Sequence, residues 1–321
     1  MKKITALLLA LLMLVGVLAG CGKQNDTNKT DKLSIVTTIF PEYDWVREIL
    51  GDKADSAEIT MLLDNGVDLH SYQPTADDII KLSDCDLFVY VGGESDEWVE
   101  DALKSAANKD RKVINLLDAL GDSVKEEETV EGMQEEEEDH EEKEYDEHVW
   151  LSLKNAKTLV GAISAALQEL DPDNKDTYAA NTSAYIEKLS ALDGEYQSAV
   201  DGAARKTVLF GDRFPFRYLV DDYGLSYYAA FAGCSAESEA SFETVSFLAR
   251  KVDEGKLPCV LTIEGKNHKI AETIVQNTAG KNQKILTMDS MQSTTSQDVA
   301  GGTTYLSLME KNLDVLKEAL G

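Results

Sequence analysis

Short apolar runs alternate with helical patterns from Leu33 to about residue 115, and the same alternation returns between Thr207 and Thr287. This double alternation constrains the fold more than any other feature of the chain. In the first half, strands are expected over 33–37, 57–62, 86–91 and 113–114, with helical spacing at Trp45, Val46, Ile49 and Leu50, from Ala76, and from Trp98 to Ala106. In the second half, strands are expected over 207–210, 225–231, 258–262 and 284–287, with helices between them. Strands of this length separated by helices imply βαβ units and parallel sheets.

Between the halves, Tyr178, Tyr185, Leu189, Leu192 and Tyr196 continue a helical stripe from Pro172 to about residue 203. A helix of roughly 30 residues is about 45 Å long at 1.5 Å per residue, long enough to act as a stiff connector. The chain closes on Leu306, Met309, Leu313, Leu316 and Leu320, the spacing of an amphipathic helix. The expected organisation is a leader over 1–20, a tether over 21–32, an α/β lobe over 33–170, the connector over 171–203 and a second α/β lobe over 204–321.

Lys2 and Lys3 precede an apolar run that ends in Leu18-Ala19-Gly20-Cys21. A charged start, a short apolar run and small residues before a cleavage point describe a secretory signal. The Cys placed directly after Leu-Ala-Gly resembles a lipobox, so Cys21 is expected to carry lipid. Lipid chains hold a soluble body on a membrane face. The expected location is the outer face of the cell membrane of a Gram-positive cell, with the membrane touched only through that anchor. A net charge of −28 argues against nucleic acid as a partner, because phosphate binding calls for a basic surface.

Nearly half of that charge is local. Residues 122–147 hold fifteen Asp or Glu against two Lys. A dense like-charge block is expected to form a mobile loop, with Asp139, His140 and Glu141 at its centre as a weak gatherer of cations. An inert linker is the alternative. Three cysteines follow Cys21, with no CxxC spacing. Cys85 sits in an apolar run and is expected in the core. A bridge between Cys234 and Cys259 is left open.

His70 lies just after a strand and before a helix, the carboxyl-end position where parallel sheets bind ligands. His148 follows the acidic block and precedes a helix. Position alone leaves a surface or capping histidine as the alternative for each. His268, at a helix start, reads as a surface residue. Asp212, Glu264 and Asp289 each follow an apolar strand. Two imidazoles and one or two carboxylates make a nitrogen and oxygen site that suits Zn2+ or Mn2+, although carboxylates at strand ends also serve as caps. HExxH, GxSxG, the P-loop and the dinucleotide fingerprint are missing, so no enzyme is expected.

These motifs together resemble the metal-binding subunits of bacterial zinc and manganese ABC importers, a family that includes zinc-uptake lipoproteins and lipoprotein adhesins. Val36-Thr37-Thr38-Ile39-Phe40-Pro41 is similar to the opening strand and turn. Asp68-Leu69-His70-Ser71-Tyr72-Gln73-Pro74-Thr75 resembles D-P-H-x-Y-E-P-T, with Leu69 in place of Pro. Asp146-Glu147-His148-Val149-Trp150-Leu151 resembles D-P-H-x-W-L, with Glu147 in place of Pro. Tyr218 to Leu225 resembles a later helix and its turn. The resemblance spans about 33–321.

It implies two parallel-sheet lobes joined by one long helix, with a metal site in the cleft formed by His70, His148 and Asp289. It also implies a monomer that hands a divalent ion, Zn2+ in preference to Mn2+, to an ABC permease. The acidic block lies where zinc members carry a charged, His-rich loop. One departure stands out. The family supplies a third ligand, His or Glu, before a Phe-x-Tyr, and here that position is Arg213, which stays protonated and cannot ligate. Asp212 or Glu264 is then the candidate replacement. The departure also admits a different reading, a surface adhesin-like protein with a weakened or altered metal site.

Overall fold

Each half of the chain builds its own four-stranded parallel sheet. The computed structural model describes residues 32–134, 144–235, 239–265 and 267–321. Cys21, Asp139, His140 and Glu141 therefore lie outside the described residues.

In the first sheet the strands β1 (Ser34–Thr37), β2 (Glu58–Met61), β3 (Leu87–Tyr90) and β4 (Lys112–Asn115) lie in the order β2-β1-β3-β4. In the second, β5 (Thr207–Arg213), β6 (Ser226–Phe231), β7 (Cys259–Thr262) and β8 (Lys284–Thr287) lie in the order β6-β5-β7-β8. The two orders are the same: second, first, third, fourth. The middles of the central strands are apolar, as a sheet covered on both faces requires; Leu87, Phe88, Val89, Val260 and Leu261 are all buried.

The first lobe carries helices α1 (Phe40–Leu50), α2 (Ala76–Asp84), α3 (Trp98–Ser105), α4 (Leu116–Leu120) and α5 (Leu153–Leu170). The long helix α6 (Lys175–Gly202) follows. The second lobe carries α7 (Arg217–Tyr223), α8 (Phe242–Gly255), α9 (Lys269–Asn277), α10 (Ser296–Ala300) and α11 (Tyr305–Leu320). Ser152 starts α5 by accepting the Asn155 N–H at 3.0 Å, an N-cap that satisfies one of the orphan amides of the first turn.

The helix α6 runs for 28 residues and buries Tyr178, Thr182, Tyr185, Leu189, Leu192, Tyr196 and Val200 on one stripe. Each large apolar side chain on it contributes about 1.5–3 kcal/mol by leaving water. Its first turns rest on the first lobe, where Asn181 Nδ2 donates to the Ile49 carbonyl at 2.9 Å and Thr182 Oγ1 to Ser164 Oγ at 2.7 Å. Further along, the Tyr196 hydroxyl donates to the Met309 carbonyl of α11 at 2.6 Å. The connector therefore touches both halves.

Two aromatic residues fasten the halves a second time. Trp150 Nε1 donates to the Ser290 carbonyl at 2.9 Å. The Tyr305 hydroxyl donates to the Trp150 carbonyl at 2.6 Å, and its amide to Asp44 Oδ2 at 2.9 Å. Both side chains are fully buried, so a polar tip on each needs the partner it finds.

One expectation is corrected and one open question is closed. The acidic block is not one loose loop at its described ends. Glu126 and Tyr145 pair as an antiparallel bridge. The Gln134 amide donates to the Ala230 carbonyl at 3.0 Å, and its side-chain oxygen accepts from Ser241 N at 2.7 Å. Lys125 pairs with Asp221 at 2.7 Å, and Arg217 on Glu128 at 3.0 Å offsets part of the charge that composition alone counted. The Cys234–Cys259 bridge is not formed, since Cys85, Cys234 and Cys259 are all free. Among the described residues no helix is long and apolar enough to cross a membrane.

Candidate metal centre

The turn that carries His70 is held at both ends. Asp68 caps the short 3-10 turn Leu69–Ser71 by accepting the His70 amide at 3.1 Å. Leu69 is buried beneath it. Beyond it, Thr75 caps α2 reciprocally with Asp78, which also accepts the Tyr72 hydroxyl at 2.9 Å. The imidazole is thereby aimed with Nδ1 toward Ser95 Oγ, 2.8 Å away, and Glu147 Oε2, 3.5 Å away.

His148 is fully buried. Asp146 Oδ1 receives both its amide, at 2.8 Å, and its Nδ1, at 3.0 Å. The Asp146 carbonyl in turn accepts the Tyr218 hydroxyl at 2.8 Å. The next three residues, Val149, Trp150 and Leu151, are buried, so the ring is anchored from both sides.

These two rings meet. His70 Nε2 lies 3.2 Å from His148 Nε2. Each imidazole has its Nδ1 engaged by a hydroxyl or carboxylate and its Nε2 turned to the same point. A carboxylate on one nitrogen fixes tautomer and orientation and leaves the other as a basic donor, the usual setting of a metal-binding histidine. At 3.2 Å the two atoms can share one proton, and a cation placed there takes that proton's role.

The electrostatics agree. Burial and then the neighbouring His148 hold His70 down to about 3, against the opposing pull of Asp68. His70 is therefore neutral at ordinary pH. Burial also works against charge on His148, but Asp146, Glu147 and Asp68 outweigh it and raise the group above its usual range. Burial lifts Glu147 to about 7.

A third donor joins them. Among the described residues, His70, His148 and Cys234 form a group whose ligating atoms all lie within 4.8 Å of one another. The sequence marks Cys234 only as a candidate half of a disulfide. The signal for it was available in its position just beyond β6, the same strand-end placement that pointed to the others.

The three carboxylates anticipated as ligands have backbone partners of their own. Asp212 accepts the Arg213 amide at 2.9 Å and the Ile263 amide at 3.3 Å. Glu264 accepts from Ser290 N at 2.6 Å, Ser290 Oγ at 2.7 Å and Gln292 N at 3.3 Å. Asp289 Oδ1 accepts the Met291 amide at 2.8 Å, and burial followed by the charge of Glu264 raises it to about 7. All three are at strand ends, as anticipated, yet none belongs to the 4.8 Å group. Arg213, at the expected third-ligand position, pairs with Asp68 instead.

Residues 35–319 match the family ZnuA, described as zinc-uptake complex component A, periplasmic. The chain belongs to this family. It is a family of uptake components and not of enzymes. The chain is 34% identical over 324 residues to the zinc-binding lipoprotein AdcA of Streptococcus pneumoniae, covering 99% of this chain and 61% of that protein. It therefore spans less than two thirds of that relative. It is 32% identical to the high-affinity zinc uptake system protein ZnuA of Bacillus subtilis, covering 95% of this chain and 94% of the relative. Its structure resembles the Zn(II)-bound ZnuA-like domain of the S. pneumoniae AdcA with a TM-score of 0.70 at 32% identity, covering 90% of this chain and 99% of that one.

Proposed function

We propose that this ZnuA-family chain captures Zn2+ outside the cytoplasm and passes it to an ABC permease. The observation that carries the reading is the pair of Nε2 atoms 3.2 Å apart, each on a ring whose Nδ1 is held by a partner. Zn2+ is the ion that the named relatives bind or take up, and two imidazoles suit it better than they suit Mn2+. In this reading Cys21 carries the lipid that keeps the protein at the membrane, and the chain acts as a monomer. The acidic run centred on Asp139, His140 and Glu141 raises the local concentration of cations, an effect that salt weakens.

The test is metal content of the purified mature chain by mass spectrometry, followed by competition titration with Zn2+ and Mn2+. One Zn2+ per chain is expected, with zinc preferred. His70→Ala and His148→Ala are each expected to weaken zinc by more than about tenfold. Asp289→Asn, Glu264→Gln and Asp212→Asn belong in the same titration, because a ligating carboxylate shows that loss and a backbone anchor does not. If neither histidine variant weakens zinc, the site is elsewhere. Removal of residues 135–143 is expected to slow zinc association at low salt while the equilibrium affinity holds.

A further inference from the structure

Cys234 sits against the paired histidines by construction. Gly233 makes room for it: a Cβ there would lie 3.1 Å from His148 Cε1 and Nδ1 and 3.0 Å from the Phe214 carbonyl. The Cys234 amide donates to Glu127 Oε1 at 3.0 Å. With no cation present, burial and the charges of Glu127, Asp146 and Glu147 push the Cys234 thiol well above its usual range; a bound cation favours loss of that proton. The cysteine has no disulfide partner, and Cys259 is buried within β7.

A second observation points to a cation at the same place. Glu147 is only 2% exposed, and its Oε2 has no hydrogen-bond partner among the described residues. That oxygen stands 3.5 Å from His70 Nδ1. A buried carboxyl oxygen without a hydrogen-bond partner, beside two imidazoles, is unfavourable unless a proton or a cation comes to it. Arg213 does not supply that charge at the donors, because its guanidinium is committed to Asp68 Oδ2 at 2.5 Å and to the Ser235 carbonyl at 3.4 Å.

We propose that Cys234 is the third protein ligand of the captured ion, bound as the thiolate beside His70 Nε2 and His148 Nε2, and that this sulfur sets the preference for zinc over manganese. The proposal rests on the reading of the histidine pair as the cation site. On binding, the S–H bond breaks, a sulfur–metal bond forms and the proton leaves to water. A tetrahedral zinc ion with bonds of about 2.0–2.3 Å keeps its ligand atoms roughly 3.3–3.8 Å apart. The three donors already lie within 4.8 Å, so small side-chain rotations complete the set. Thiolate favours Zn2+, whereas Mn2+ is served by oxygen ligands.

X-ray absorption at the zinc edge on the unmodified, zinc-loaded chain is the first test. A zinc–sulfur distance near ~2.3 Å is expected; a shell of nitrogen and oxygen alone overturns the proposal. The second test is Cys234→Ala with Co2+ and Zn2+. The unmodified chain is expected to show sulfur-to-cobalt charge-transfer absorption in the near ultraviolet, and the variant to lose it. Zinc affinity is expected to fall by about 100-fold or more, beyond the 10–100-fold typical of a lost supporting contact, while Mn2+ affinity changes little. If Cys234→Ala keeps the cobalt band and its zinc affinity while His70→Ala and His148→Ala lose theirs, Cys234 is not a ligand and the histidine site stands. If all three variants hold zinc as the unmodified chain does, the histidine reading fails with it.

Discussion

Arg213 reaches from the end of β5 to the turn before His70, where its Nη2 lies 2.5 Å from Asp68 Oδ2. Its other terminal nitrogen donates to the Ser235 carbonyl at 3.4 Å. One side chain thus ties together the turns that present His70 and Cys234. Burial works against charge on Asp68, but the Arg213 hydrogen bond and charge outweigh it and hold the carboxyl below its usual range. The residue that cannot ligate positions two that can.

Replacing Arg213 by Ala leaves Asp68 without its partner in a largely buried setting. The expected loss is about 1–3 kcal/mol of stability by urea unfolding, with faster zinc release. Arg213→Lys is expected to recover only part of both, because an ammonium cannot reproduce the planar fork that bridges two acceptors. Unchanged stability and release in Arg213→Ala would contradict the clasp.

Asp146 acts on the ion through His148. Asp146→Asn keeps the shape but removes the carboxylate that accepts from Nδ1 at 3.0 Å. Zinc affinity is expected to fall by about 10–100-fold in competition titration. Ser95→Ala, which removes the 2.8 Å contact to His70 Nδ1, is expected to cost less. Glu147 Oε2 at 3.5 Å remains beside that nitrogen.

Gly233→Ala tests the close approach. The added methyl would sit 3.1 Å from the His148 ring and 3.0 Å from the Phe214 carbonyl. Neither yields easily, because His148 and Phe214 are buried. We expect about 1–3 kcal/mol of destabilisation from overpacking and a clear loss of zinc affinity. Normal zinc binding would show that the turn moves freely.

The pH dependence of folding has a contributor outside the group of His70, His148 and Cys234. Burial, with a further push from Glu48, raises Asp44 to about 7, although the Tyr305 amide pulls the other way. In the unfolded chain the same carboxyl titrates near ~4. Between those values the folded chain holds more protons than the unfolded one, so stability falls as pH rises through that window. Asp44→Asn is expected to remove this slope. Relative to the unmodified chain, it should gain on the order of a few kcal/mol at pH 8 compared with its effect at pH 4. Urea unfolding at the two pH values measures it, and parallel curves for the two proteins would refute it.

Periodicity along the chain was enough for the parallel sheets, the long helix and the closing amphipathic helix, because each depends on neighbours within a few residues. The stripe of Tyr178, Tyr185, Leu189, Leu192 and Tyr196 is buried as its spacing requires. His70 and His148 were legible as well, since strand ends and helix starts can be located from local pattern alone. Which residues join them was not legible. Cys234 lies 86 positions beyond His148 in the chain, and only the crossover order of the second sheet and the tight turn at Gly233 bring its sulfur to the imidazoles. Likewise nothing local distinguishes Glu264, spent on the 290–292 turn, from a free ligand, or shows that Arg213 belongs to Asp68. The described ends of the acidic block were misjudged for the same reason, as charge counting does not see the backbone bonds and cations that arrive from the other lobe. Sequence determined the elements and marked two residues of the candidate site, through short-range sterics and burial. Tertiary structure decided the third donor and the fate of each carboxylate, because a coordination site depends on distances in space that chain spacing does not encode.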